Sequence, residues 1–232
     1  MSLREVLIKY RTTKQSQSTC NVANARGLPR RCYALLAMTQ HNTQMQNINP
    51  DTKNNGKLLI LDLDENLIFS SEKKLEYKED FMIDEYYVYK RPFVDEFLEY
   101  AKKDFNISVW SSGSDDYVQE VIKNIFPKDY SLIFAWGRSR CTHKYDPDTA
   151  NRYPVKKLFK VKKLGFKIEN ILIIDDTHSK AEDNYGNAVF TTPFEGNKDD
   201  KELLSLIQYL ETIKDSNNYR SIEKRFWRNN IS

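Results

Sequence analysis

Two of the most hydrophobic segments in this 232-residue chain run directly into paired carboxylates. One is Lys57-Leu-Leu-Ile-Leu-Asp62-Leu-Asp64; the other is Asn170-Ile-Leu-Ile-Ile-Asp175-Asp176. A continuous apolar run is the mark of a strand covered on both faces, and in an open parallel sheet ligands bind at the carboxyl ends of the strands. Alternation along a strand puts Asp62 and Asp64 on the same side, so if the two strands are neighbours, up to four carboxylates converge. Two like charges about 4 Å apart repel by about 4 kcal/mol at an effective dielectric near 20. Such a cluster demands a cation or protons. Oxygen ligands without Cys or His favour Mg²⁺, which keeps waters and adds substrate phosphate oxygens. One Asp closing a strand is ordinarily a turn or helix cap; two such endings on strands this apolar point to chemistry.

The elements that must position these acids follow from periodicity. Pro92 stands in the first turn of a helix over 93–101. Ile107–Ser111 reads as a second strand. Asp115 or Asp116 caps a helix carrying Val118, Val121, Ile122 and Ile125, stopped by Pro127. Leu132–Trp136 is a third strand, followed by a loop without periodicity to Tyr153. Pro154 opens a helix that closes at Gly165. Residues 170–176 form a fourth strand and Ala188–Phe190 a short fifth, and Asp199 to Ile213 is a long amphipathic helix. Strands alternating with helices predict an α/β fold: a Rossmann-like parallel sheet with helices on both faces. Between Leu67 and Lys90, aromatic residues set among charges predict a β-hairpin flap. The stretch from Asp62 to Ser111 leaves room for little beyond that flap and one helix.

Charge divides the chain. Residues 1–56 carry eight basic residues against Glu5 and Asp51, while the remainder carries 28 basic against 31 acidic. The basicity therefore belongs to a leader without sustained periodicity, expected to be unstructured and dispensable for activity. Translation from Met38 or Met45 would omit most of it. The apolar stretch after Arg30-Arg31 is too brief and too far from the start for a signal peptide. No apolar run is long enough to cross a bilayer as a helix, and the acidic balance after residue 56 argues against nucleic-acid binding. Cys20, Cys32 and Cys141 show neither a disulfide framework nor metal-ligand spacing, which fits a reducing, cytoplasmic setting. His143, Asp146 and Asp148 are too irregularly spaced around Pro147 to read as a second metal site and are expected on a polar loop.

In this setting Asp62-Leu-Asp-Glu-Asn-Leu67 resembles the first motif of the haloacid dehalogenase superfamily, Asp-x-Asp-x-Thr. The chain is closest in pattern to the NLI-interacting-factor-like, small C-terminal-domain phosphatase branch. Supporting pieces are Lys90-Arg-Pro-Phe-Val-Asp-Glu-Phe97, Val109-Trp-Ser-Ser112, Phe134-Ala-Trp136 with Arg140-Cys-Thr142, Tyr153-Pro-Val-Lys-Lys157, Leu172-Ile-Ile-Asp-Asp-Thr177, Asn187-Ala-Val189 and Phe194-Glu-Gly196. The resemblance covers residues 57–214, leaving 215–232 as a basic helix or tail with Ile222 and Phe226 four apart. It implies Asp62 as nucleophile, forming an aspartyl-phosphate, and Asp64 as general acid and then base. It implies Ser111 and Lys156 as catalytic and phosphate-binding residues, with Lys157 a competitor for the lysine role. Asp62, Asp64 (through its backbone carbonyl), Asp175 and Asp176 would hold Mg²⁺. Asn66, where the family has Thr, would still position substrate through its amide.

With no large cap, the resemblance implies an open cleft and a phosphoprotein or phosphopeptide substrate carrying phosphoserine or phosphothreonine. Tyr86, Tyr87, Tyr89 and Trp110 are candidates to line a peptide groove, although cross-strand packing is the commoner use of such residues. A small-molecule phosphomonoesterase, and a catalytically weak phosphoprotein-binding module that Asn66 would permit, are the alternatives.

Overall fold

The computed structural model describes residues 56–231; the sequence readings on residues 1–55 lie outside the described residues. After strand β1 (Leu58–Leu61) the chain forms β2 (Ile68–Ser71), β3 (Phe81–Ile83) and β4 (Tyr86–Lys90). Helix α1 (Val94–Asp104) leads to β5 (Asn106–Trp110), α2 (Asp115–Ile125) and β6 (Leu132–Trp136). Strands β7 (Thr142–Asp146) and β8 (Asn151–Val155) precede the short helix α3 (Phe159–Lys162). Strand β9 (Ile171–Asp175), α4 (His178–Ala181), β10 (Ala188–Phe190) and α5 (Glu202–Ile213) complete the order.

Five parallel strands form the central sheet in the order β10-β9-β1-β5-β6. The chain builds outward from β1 through β5 to β6, then crosses to the other side for β9 and β10. The direction of winding therefore reverses between β1 and β9, which opens the crevice where α/β folds bind ligands. Every residue of β1, β5 and β9 is buried, as required of strands covered on both faces. Helices α1 and α5 pack on one another, and α2 packs on β6 and on the flap strand β3. The α/β reading holds.

Several local expectations are corrected. The Leu67–Lys90 flap is a three-stranded antiparallel sheet, in the order β2-β4-β3, not a simple hairpin. Helix α2 is capped by Ser114, whose hydroxyl accepts from the Tyr117 N–H. Asp115 instead accepts from the Gly137 N–H and the Ser139 hydroxyl. Pro92 lies ahead of α1 rather than in its first turn, because Phe93 takes a left-handed conformation at φ 66°. The expected loop from 137 to 153 contains strand β7 and most of β8. Pro154 is a strand residue, opposite His143 in the two-stranded β7–β8 sheet, where its missing donor costs no ladder bond on the outer side. The helix expected from Pro154 to Gly165 shrinks to α3, since the preceding residues are committed to that ladder.

Residues 215–231 dock on the domain through short 3₁₀ turns, not an α-helix. Tyr219 and Trp227 are the buried anchors, whereas Phe226 is 66% exposed. Trp227 packs beside Tyr209 of α5 and donates its indole N–H to the carbonyl of Phe190, at 2.8 Å. Truncating a buried aromatic costs about 3–5 kcal/mol, so Trp227→Ala should lower the urea-unfolding free energy by about 3 kcal/mol, while Phe226→Ala should change it by less than about 0.5 kcal/mol.

Candidate active site

The register of β1 on β9 pairs Leu61 with Ile174, and the Asp62 N–H continues the ladder to the Ile174 carbonyl at 3.0 Å. Asp62 and Asp175 therefore leave neighbouring strands side by side. Both are almost completely buried, which is tolerable only with compensating charge. Two lysines supply it. Lys156, itself fully buried, stands 3.0 Å from Asp62 Oδ1 and 2.6 Å from Asp175 Oδ2. Lys180 stands 2.9 Å from Asp62 Oδ2, 3.4 Å from Asp176 Oδ1 and 3.9 Å from Asp175 Oδ1. Burial alone would raise the Asp62 pKa; the two ammoniums overcome it and hold the carboxylate well below its usual range. Asp175 moves the other way, because burial and the neighbouring Asp62 charge outweigh Lys156. The Leu63 N–H adds a bond to Asp62 Oδ1 at 2.9 Å.

Asp64 faces elsewhere. The strand ends at Leu61, and a tight turn with Glu65 at φ 58° carries the chain into β2, so the alternation expected of Asp62 and Asp64 is lost. The Asp64 carboxylate accepts from the Tyr117 hydroxyl and, at 3.3 Å, from the Ser111 hydroxyl. Burial raises its pKa to about 6, against the pull of the Tyr117 bond. Ser111 also accepts from the Gly113 N–H at 2.9 Å, and Tyr117 is in turn hydrogen-bonded to Ser70 of the flap at 2.9 Å. Glycine is required at 113: a Cβ there would lie 2.8 Å from the Tyr117 ring and 3.2 Å from Ser111 Oγ.

Three carboxylates, not four, therefore converge. One oxygen each from Asp62, Asp175 and Asp176 lies within 4.8 Å of the others, and the carboxylate of Asp64 is outside that group. The donors are all hard oxygens, and the place where they meet already holds a positive charge, the Lys180 ammonium. That chemistry fits Mg²⁺.

Lys156 reaches the site from the end of β8, where its N–H donates to the Lys180 carbonyl at 2.8 Å. Lys157 does not reach it; its ammonium pairs with Asp183 at 3.2 Å. Asn66 is fully buried, donating to the Asp62 carbonyl at 3.1 Å and accepting from Thr191 at 2.8 Å. Both ends of its amide are thus engaged in holding the loop that carries Asp62. His143 and Asp146 lie on β7, with Asp148 in the turn beyond it.

Sequence reading missed Lys180, Tyr117 and Arg91. Lys180 carried one signal, its position four residues after Asp176, which places it over the acids. Tyr117, in the first turn of α2, carried no sequence signal beyond its place in a helix. Arg91, with its side chain fully buried, donates to both oxygens of Asp200 at 2.9 and 2.8 Å, to the Asn66 carbonyl at 3.1 Å and to the Thr192 carbonyl at 2.9 Å.

Comparison with known proteins adds an independent line. Residues 57–220 match the family described as NLI interacting factor-like phosphatase. A CTD phosphatase-like protein of Invertebrate iridescent virus 3 is 28% identical over 183 residues, covering 69% of this chain and 98% of that protein. A C-terminal domain small phosphatase of Dictyostelium discoideum, so described with the qualifier "Probable", is 31% identical over 166 residues, covering 68% of this chain and 50% of its own length. Among solved structures, the R271A variant of the fission yeast RNA polymerase II CTD phosphatase Fcp1, bound to beryllium fluoride, superposes with a TM-score of 0.47 at 13% identity, over 78% of this chain and 56% of that one.

The two adjacent lysines separate cleanly by experiment. Lys156→Met should lower phosphate release from p-nitrophenyl phosphate by at least about a thousandfold, equivalent to about 4 kcal/mol of barrier. Lys157→Met should stay within about twofold of the unaltered protein, since exposed ion pairs are worth little.

Proposed function

Because this chain belongs to the NLI interacting factor-like phosphatase family, we propose that it hydrolyses phosphate monoesters through an aspartyl-phosphate on Asp62, with Mg²⁺ as cofactor. The observation that carries this reading is the contrast between two neighbouring acids. Asp62 is held ionised between Lys156 and Lys180, while Asp64 is held near pKa 6 by burial. Pairs of carboxyls whose environments push their pKa values apart are the usual assignment of nucleophile and acid.

In the first half-reaction an Asp62 oxygen attacks phosphorus in line, forming the new P–O bond as the ester P–O bond breaks. Asp64 passes its proton to the departing oxygen. Tyr117 and Ser111 hold the Asp64 carboxyl in place, and the fixed donors of the site act on charge where it develops. In the second half-reaction Asp64, now ionised, takes a proton from water, which attacks the phosphorus and frees inorganic phosphate and Asp62. Lys156 neutralises Asp62 in its ionised states. Magnesium, held by Asp62, Asp175 and Asp176, would neutralise the phosphoryl oxygens.

The substrate we infer is phosphoserine or phosphothreonine in a protein. Two features support it: the described residues hold a three-stranded flap but no large cap over the strand ends, and relatives carry CTD phosphatase names. The flap tyrosines favour the packing reading. Tyr86 and Tyr89 are buried, the Tyr89 hydroxyl accepts the Leu75 N–H at 2.8 Å, and its ring meets Tyr77 edge-on. A cytoplasmic setting belongs to the same proposal, in keeping with the free thiol of Cys141.

Mg²⁺-dependent turnover of p-nitrophenyl phosphate, and of a phosphopeptide in preference to sugar phosphates and nucleotides, is the expected result. Asp62→Asn should lower turnover by at least about a thousandfold with an unchanged circular dichroism spectrum; near-normal turnover in that variant would overturn the mechanism. Tyr117→Phe removes the hydrogen bond to the acid and should lower kcat by about tenfold, or about 1.4 kcal/mol, with KM little changed.

A further inference from the structure

We propose that Lys180 is a resident rival of the divalent cation, occupying the acid cluster in the metal-free protein and yielding it on metal binding. This rests on the reading that Asp62, Asp175 and Asp176 form the metal site. The Lys180 ammonium lies 2.9, 3.4 and 3.9 Å from oxygens of those same three carboxylates. A cation bound by those oxygens and an ammonium at those distances from them exclude one another on volume and on charge. One of them must leave.

The two lysines of the site differ in their freedom to do so. Lys156 has a fully buried side chain between Asp62 and Asp175, and Asn184 bonds its carbonyl. The Lys180 side chain is 17% exposed and rises from α4, a helix of four residues. Its backbone stays fixed, because the Lys180 carbonyl accepts the Lys156 N–H at 2.8 Å. The side chain alone can therefore withdraw its ammonium toward solvent while the loop carrying Asp175 and Asp176 keeps its place. The device gives the metal-free protein a neutralised cluster, and every metal ion that binds must first displace an ammonium. The consequence is a weakened affinity for the divalent cation, since occupancy by the rival subtracts from the binding-competent population.

Isothermal titration of Mg²⁺ into metal-stripped protein tests this without reference to turnover. Lys180→Met, which keeps length and removes charge, should bind Mg²⁺ on the order of tenfold more tightly or better, reflecting the loss of a competing charge. Lys180→Arg, which keeps the charge, should bind no more tightly than the unaltered protein. In chelator the thermal midpoint of Lys180→Met should drop, and saturating Mg²⁺ should restore it with a larger upward shift than in the unaltered protein. Should Lys180→Met not fold in chelator, refolding on addition of Mg²⁺ is the expected outcome. Equal affinities for the unaltered protein and Lys180→Met, equal tightening in the Met and Arg variants, or failure of Mg²⁺ to restore the Met variant would each overturn the proposal. Absence of any Mg²⁺ binding by the unaltered protein, with none gained in Lys180→Met, would instead overturn the metal-site reading beneath it.

Discussion

Buried negative charge at the junction of β1 and β9 is the constraint that organises this molecule. Three carboxylates meet where the sheet changes its direction of winding; Asp62 and Asp175 are buried, and the Asp176 side chain is 4% exposed. Their repulsion is offset by ammoniums brought in from outside the sheet, and N–H and hydroxyl donors of Leu63 and Thr177 replace part of their lost hydration. One arrives on the β7–β8 hairpin and the other on α4. Neither element adds a strand to the central sheet; both deliver cationic side chains to the place where the sheet needs them. The fold and the chemistry are therefore hard to separate: without the lysines the acids could not remain ionised inside, and without the acids the lysines could not be buried.

Around that charge balance, the loop after β1 is fixed by contacts from distant parts of the chain. Arg91 joins the Asn66 carbonyl to the exit of β10 and to Asp200 ahead of α5. Asn66 links the Asp62 carbonyl to the Thr191 hydroxyl, and the Phe194 N–H bonds the Glu65 carbonyl at 2.7 Å. Asp62 thus sits on a frame rather than on a free loop, which is what the proposed positional catalysis demands. Asn66 at the family's threonine position makes sense within this frame, as its amide spans the gap between two backbone segments.

Much of this was legible in the chain itself. Strands covered on both faces show up as unbroken apolar runs, so β1 and β9 and their acidic ends stood out, and Lys156 followed from a motif. What escaped had physical reasons. The β7–β8 hairpin has its residues mostly half-exposed or exposed, so it carries no hydrophobic period to detect, and Pro154 pointed to a helix. The expected convergence of four acids failed because the strand stops one residue before Asp62, and a left-handed turn at Glu65 sends Asp64 toward Tyr117. Lys180 escaped because a lysine near acids is ordinarily a solvated pair; only its burial among three carboxylates gives it another meaning. The C-terminal segment docks through Tyr219 and Trp227, which the spacing of Ile222 and Phe226 concealed.

The strand order β10-β9-β1-β5-β6 has a bearing on how the chain is born. Synthesis proceeds from the N-terminus, so β1 can recruit β5 and β6 early but must keep its other flank unpaired until residues 171–175 emerge. Asp62 meets Lys180 across 118 positions of sequence, and Trp227 seals the exit of β10 later still. A nascent polypeptide therefore carries a bare, oily sheet edge ending in an unneutralised acid until residues 171–180 have emerged, and its acid cluster cannot close before then.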